Sequence, residues 1–150
     1  MTTAFSGFDG VIKFTDSDNS LSDAVIGNLR NFSIETSQDS IETTSMEDSG
    51  HRTFKAGLSS FTFSGDVFFD YTDAVQQKME QLTSKDDTTA GNDAVATFEA
   101  YPSGTALASG AKYSGSCIIT SFSVTSSVDG VVEASFSAQG TGVLAVATAV

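Results

Sequence analysis

One cysteine, one proline, one histidine and no tryptophan occur in the 150 residues of this chain. Each scarcity excludes something. A single Cys117 cannot make an intrachain disulfide, and with one His51 it cannot build a zinc site. A chain this long can bury a core without either staple. A reducing compartment is the expectation. One His beside Arg52 in a polar stretch offers no nucleophile and no orienting partner, so His51 reads as a surface residue and the chain as no enzyme. Cys117, between Ser116 and Ile118 in a strand pattern, reads as core filling. No apolar run is long enough to cross a bilayer as a helix, and MTTAFSGFDG has neither the basic nor the apolar region of a signal peptide. No membrane partner and no cofactor are expected.

Positive charge is scarce as well. Seven bases face nineteen acids, for a formal charge of −12. Seventeen of the acids and six of the bases lie in residues 1–100. Such a surface repels phosphates, so a groove that grips nucleic acid is not expected; the charge reads first as a device for solubility and second as a surface that a polyanion would pass without sticking. The second half is nearly uncharged and reads as strand surface covered on both sides.

What is abundant is Phe (12), Gly (13), Ser and Thr, a composition of short strands and turns. The clearest signal runs from Leu58 to Thr83. Phe61, Phe63, Val67 and Phe69 alternate with Ser60, Thr62, Ser64 and Asp66, which is the period of a half-buried strand. Val75, Met79 and Leu82 then follow helical spacing behind the N-cap candidates Thr72 and Asp73, which predicts a helix over about residues 73–83.

Around this nucleus the pattern predicts further strands. Phe8, Ile12 and Phe14 share parity. Ala24–Thr36 reads as one strand region, with Phe32, Ile34 and Arg30 on one side and Leu29, Asn31, Ser33 and Glu35 on the other. Thr15–Asp23 reads as an acidic loop; its Asp16, Asp18, Ser20 and Asp23 lack the Gly and the bidentate Glu of a calcium loop. Val95–Tyr101 is a strand closed by Pro102, Ser103 and Gly104, and Ala106–Gly115 is turn material. Ser116–Val128 and Val131–Gly140 read as a hairpin about a two-residue Asp129-Gly130 turn. That turn sets Val124 against Ser135, Ser123 against Phe136 and Ile119 against Gly140, leaving neither face cleanly polar. A face of this kind would meet a subunit or an enclosed surface. The apolar ending VLAVATAV would complete a sheet or dock on a partner. GTGVLA, Gly140–Ala145, has the letters of a dinucleotide loop but no following helix and strand.

Ser37–Gly57 is long, polar and at first acidic, and loops of that length are uncommon in compact domains. It reads as an arm, extended or partly hairpin, that reaches a neighbour. The residues expected to carry such contacts are Asp39, Ile41, Glu42, Met46, Glu47, Asp48, His51, Arg52 and Phe54.

The order of these parts resembles the major tail tube proteins of long-tailed bacteriophages. The features that carry the resemblance are NLRNFSIET, the polar arm, GLSSFTFSGDVFFD, the helix TDAVQQKMEQL, and YSGSCIITSFSVTSSVDGVVEASFSAQGTG. It implies one mainly β domain over residues 1–150, a β-sandwich or barrel-like body with one flanking helix (about 73–83) and a long arm (about 37–57). It further implies a structural virion protein, made in the host cytoplasm, whose hexameric rings stack into a hollow tube. In such tubes one sheet from each subunit joins a continuous barrel around the channel. DNA would pass through without specific binding, and other tail proteins, including a sheath in contractile tails, would meet the tube. The alternative is a small β-sandwich binding module for carbohydrate or adhesion. Such modules usually present solvent-facing aromatics, and here Tyr71, Tyr101 and Tyr113 are scattered.

Overall fold

The computed structural model describes residues 10–16, 22–84, 95–104 and 110–148. Seven strands and one helix follow in the order β1 (Val11–Asp16), β2 (Ala24–Val25), β3 (Leu29–Glu42), β4 (Phe54–Phe68), α1 (Ala74–Ser84), β5 (Val95–Tyr101), β6 (Ala111–Thr125) and β7 (Glu133–Thr148). The strands form one antiparallel sheet in the order β2-β1-β5-β6-β7-β4-β3. The fold is therefore mainly β with one helix, as the sequence predicts.

The sheet is strongly curled. Phe63 of β4 and Phe98 of β5 lie three strand places apart, which on a flat sheet is about 14 Å at roughly 4.8 Å per place. Their rings nonetheless stack at 4.2 Å between centroids. The two ends of the sheet thus fold over a common core of Ile12, Phe14, Phe61, Phe63, Phe98 and Phe136, all buried. The long strands β6 and β7 make the bend. The first part of β6 pairs with β5 as far as Ile118, whereas residues 119–125 pair only with β7. Similarly β7 pairs with β4 over 133–139 and leaves it beyond. Register shifts at Ser114/Ser116 and Ile119/Ser121 let the strands turn from one wall to the other. At that corner Phe61 lies over Gly140, where an added Cβ would come within 2.4 Å of the ring. Only a residue without a side chain admits Phe61 there.

Helix α1 packs against the core with Val75, Met79 and Leu82, as their spacing predicts. Gln76 and Lys78 are buried too, which amphipathic spacing does not foretell. Gln76 stitches three segments: its amide donates to the carbonyls of Phe68 (3.1 Å) and Gly27 (3.3 Å), and its oxygen accepts from Asp70 N–H (3.0 Å). Lys78 pairs with Asp16 at 2.7 Å, both side chains almost wholly buried. Asp16 is therefore the last residue of β1 and part of the core, a correction to its place in an acidic loop; residues 17–21 lie outside those described.

Other boundaries differ from expectation for local reasons. Ala24–Thr36 is two strands, because Gly27 and Asn28 (φ 57°) turn the chain between β2 and β3. A bulge between Leu29 and Asn31 then reverses the expected sides: Leu29 pairs with the buried Val67 and joins the core side with Phe32 and Ile34, and Arg30 moves to the outer side. Ala111–Gly115 belongs to β6 rather than to a turn, and its partner is the C-terminal stretch, with Ala111 opposite Thr148. The apolar ending thus completes the sheet, one of its two expected fates. Phe8 lies outside the described residues, while Ile12 and Phe14 are buried on one face as their parity predicts.

A candidate assembly surface

The most consequential correction concerns the β6–β7 hairpin. The strands end at Thr125 and resume at Glu133, and the turn spans Ser127 to Gly130 inside a longer loop. The register moves by one residue from the two-residue turn, and one residue moves every side chain to the other face. Val124 is opposite Ala134, Phe122 opposite Phe136 and Ile119 opposite Ala138. Ser123 faces Ser135, Ser121 faces Ser137 and Thr125 faces Glu133. The faces are therefore distinct, one apolar and one polar, and the apolar one is covered at Phe122, Phe136 and Ile119 but exposed at Val124 near the loop. The outer face is exposed, not covered on both sides.

That polar face continues across four strands. One row runs Ser33, Ser64, Ser137, Ser121, and the next runs Asn31, Asp66, Ser135, Ser123. The hydroxyls bond to one another and to their neighbours: Ser33 to Ser64 at 3.1 Å, Ser37 to Ser60 at 3.0 Å, and Ser135 donating to Asp66 at 2.7 Å. Hydrogen bonds from Ser135 and Asn31, with the charge of Arg30, hold the Asp66 carboxyl below its ordinary range despite partial desolvation. Among the described residues the one cation on this face is Arg30, bonded to Glu133 at 2.5 Å. The face is smooth, hydroxyl-rich and weakly acidic. Both of its edges are open among the described residues, since β3 pairs only with β4 and residues 119–125 of β6 pair only with β7.

Beyond residue 37 the β3–β4 ladder projects as the predicted arm, and it is a hairpin. Pairing extends to Glu42 opposite Phe54, and a short 3-10 turn at Met46–Asp48 closes the far end. Asp48 holds that tip, accepting from Ser45 N–H at 2.5 Å and from Thr53 at 3.2 Å. The hydrogen bond from Ser45 N–H is the main cause of its lowered carboxyl range. Ile41, Met46 and Phe54 are exposed there, unusual for apolar side chains. Asp39, Glu42, Glu47, His51 and Arg52 are exposed as well. All of the residues expected on the arm thus lie on one projecting hairpin. Where β4 and β7 part, Phe61, Ser59, Val143, Leu144 and Val146 line a notch of about 410 Å³ at its base.

Little else suggests chemistry. Burial pushes the Cys117 thiol up to about 12, and the side chain is inaccessible. Among the described residues no group of three or more His, Cys, Asp and Glu could hold a metal ion, and no helix is long and apolar enough to cross a membrane. Tyr101 is buried in β5 and Tyr71 is exposed before α1, so these two do not share a face.

A curled antiparallel sheet, one helix packed against its core and a projecting hairpin make up the described body. A model of the phage tail tube protein family matches residues 4–146, and the chain belongs to that family. It is a structural tail tube protein, a virion component and not an enzyme. No curated protein matches it. Among solved structures it is similar to a chain of the tail of an empty gene transfer agent (GTA) particle refined with C6 symmetry, with 24% identity, 95% of this chain and 98% of that one covered, and a TM-score of 0.72. It is similar to the SPP1 tail tube at 17% identity, covering 97% and 80%, TM-score 0.75. A chain of the sheath–tube complex of an extracellular contractile injection system shares 10% identity over 97% and 92%, TM-score 0.68.

Proposed function

We propose that this chain, as one domain, assembles into hexameric rings that stack into the hollow tail tube of a virion, and that DNA passes along the bore. The observation that carries the reading is the hydroxyl-rich, four-stranded face bounded by two open edges. The edge of β3 in one copy pairs with residues 119–125 of β6 in the next, so the contact is head-to-tail, and a rotation of one sixth of a turn per copy closes it as a ring. The hydroxyl face then lines the bore, where its weak acidity and, among the described residues, its lack of free cations keep a duplex from adsorbing. The C6 symmetry of the similar GTA tail supports six copies per ring.

The arm makes the contacts between copies or between rings. Its exposed Ile41, Met46 and Phe54 supply apolar area, while Asp39, Glu42, Glu47, Asp48, His51 and Arg52 supply the polar rim. Other tail proteins cap the tube and, in a contractile tail, a sheath surrounds it. The subunit waits in the host cytoplasm before assembly.

Electron microscopy of the purified protein tests this reading. Hollow rings or tubes are expected, and a monodisperse monomer at every concentration overturns it. A chain whose residues 43–53 are replaced by a tight turn should lose stacking; tubes as long as those of the intact chain would remove the arm from the account.

A further inference from the structure

We propose that Arg30 and Glu133 form a charge clasp that withholds the one cation of the hydroxyl face from passing phosphates, so that a duplex slides along this face instead of stopping on it. The inference rests on the reading of this face as the wall of the bore.

A free guanidinium is the side chain best shaped to hold a phosphate, with a planar fork of donors that fits two oxygens at once. One such group per subunit, repeated around and along a tube, would present a regular lattice of phosphate sites. Linked weak contacts multiply, so even feeble single contacts would retain a long polyanion.

The geometry engages one prong of that fork with a carboxylate. The bulge between Leu29 and Asn31 carries Arg30 to the outer side of β3. From there it spans β4 and reaches β7, where Nη1 bonds Glu133 Oε1 at 2.5 Å. Its planar head lies over the Phe68 ring, with Cζ 5.1 Å from the centroid. A carboxylate therefore takes one side of the guanidinium and an aromatic face another. Asp66, on the same face, adds a second negative charge that Arg30 feels. The side chains of Arg30 and Glu133 remain 41% and 47% exposed, and ion pairs that open to water contribute little to folding. What the pair changes is the charge that the wall shows to an anion.

The clasp also fits the treatment of cations elsewhere on the body. Lys112 is paired with Glu99 at 2.9 Å, Lys78 with Asp16 at 2.7 Å, and Lys13 lies over Tyr101. Arg52 and Lys55, the described cations outside this pattern, sit on the arm.

The test uses assembled particles of the intact chain and of three variants, Glu133→Gln, Glu133→Ala and the double change Arg30→Gln/Glu133→Gln. Each is sedimented with a fluorescent DNA duplex at low salt. Intact and double-variant particles should leave the duplex in solution. Both single variants should carry it down, with roughly a tenfold gain or more, and salt should release it with a slope of about −0.9 for each phosphate contact formed. Single variants that sediment no more duplex than the intact chain overturn the clasp, as does a double variant that retains as much as they do. If neither single variant assembles while the intact chain does, Glu133 serves docking and the clasp is wrong. If the intact chain itself forms no particles, the tube reading fails separately. The same comparison is then made on dispersed protein by fluorescence anisotropy, where equal binding by all chains overturns the clasp.

Discussion

Phe63 and Phe98 lie face to face, 4.2 Å apart and 8° from parallel, although two strands separate theirs in the sheet. The stack ties the two walls of the curled sheet together. Removing either ring leaves a cavity that the surrounding Phe61 and Phe136 cannot fill, since both are already packed against Phe63 or Phe98. Phe98→Ala should cost about 3–5 kcal/mol in urea unfolding. A double-mutant cycle with Phe63→Ala should return a coupling of about 0.5–1.5 kcal/mol beyond area loss. Full additivity would mean that the stack contributes only its burial.

At the corner, Gly140→Ala should be destabilising in spite of alanine's smaller backbone entropy. The new methyl would meet Phe61 Cε2 and Cζ at 2.4 Å, and overpacking of this kind costs about 1–3 kcal/mol. Phe61→Leu in the same chain should recover part of the loss, because the clash is with the ring and not with backbone. A thermal melt of the three chains reads the difference.

Lys78 and Asp16 offer a test of buried charge. Removing Lys78 takes away the cation 2.7 Å from the buried Asp16 carboxylate, so Lys78→Met should cost about 3–5 kcal/mol. Replacing both, Asp16→Leu with Lys78→Met, should restore most of that stability. A double variant as weak as the single one would show that the pair's other surroundings depend on the charges.

Acid should loosen the hydroxyl face through Asp66. Its folded-state range lies below the ordinary carboxylate value, first because of the Ser135 hydrogen bond and then that of Asn31. A depressed group stabilises the fold above its unfolded value, and the contribution disappears as pH falls through the folded one. Ser135→Ala should therefore raise the Asp66 titration midpoint toward the ordinary carboxylate value and flatten the acid limb of stability. Carboxyl NMR titration would detect it, and an unmoved midpoint would contradict the hydrogen-bond assignment.

Where periodicity was strong, the chain was legible. The alternation from Phe61 to Val67 and the helical spacing of Val75, Met79 and Leu82 both match the structure, because each pattern spans enough residues to settle its face. Two single-residue features were not legible. The bulge at Arg30 and the longer β6–β7 loop each shift register by one, and a period of two turns such a slip into a complete exchange of faces. Asn28 and Ser127–Gly130 are ordinary turn residues, and nothing local distinguishes a two-residue hairpin from the longer one. The buried roles of Gln76, Lys78 and Asp16 depend on partners far along the chain, Gly27 for Gln76 at a separation of 49 residues and β1 for Lys78 of the helix, beyond any local pattern. The arm was visible as a polar stretch too long for a loop, but its pairing depends on β4 extending the ladder.

The hydroxyl face contains β6, β7, β4 and β3 in that order, each antiparallel to the next. Because that number is even, the strands at its two edges run in opposite directions. Copies placed side by side by a rotation about a common axis would then meet as antiparallel partners, the same relation found inside each copy. Had the face held an odd number of strands, every boundary between copies would have needed parallel pairing. The parity of the strand count thus permits a circular wall without a seam, in which the junction between molecules repeats the geometry of the fold within them.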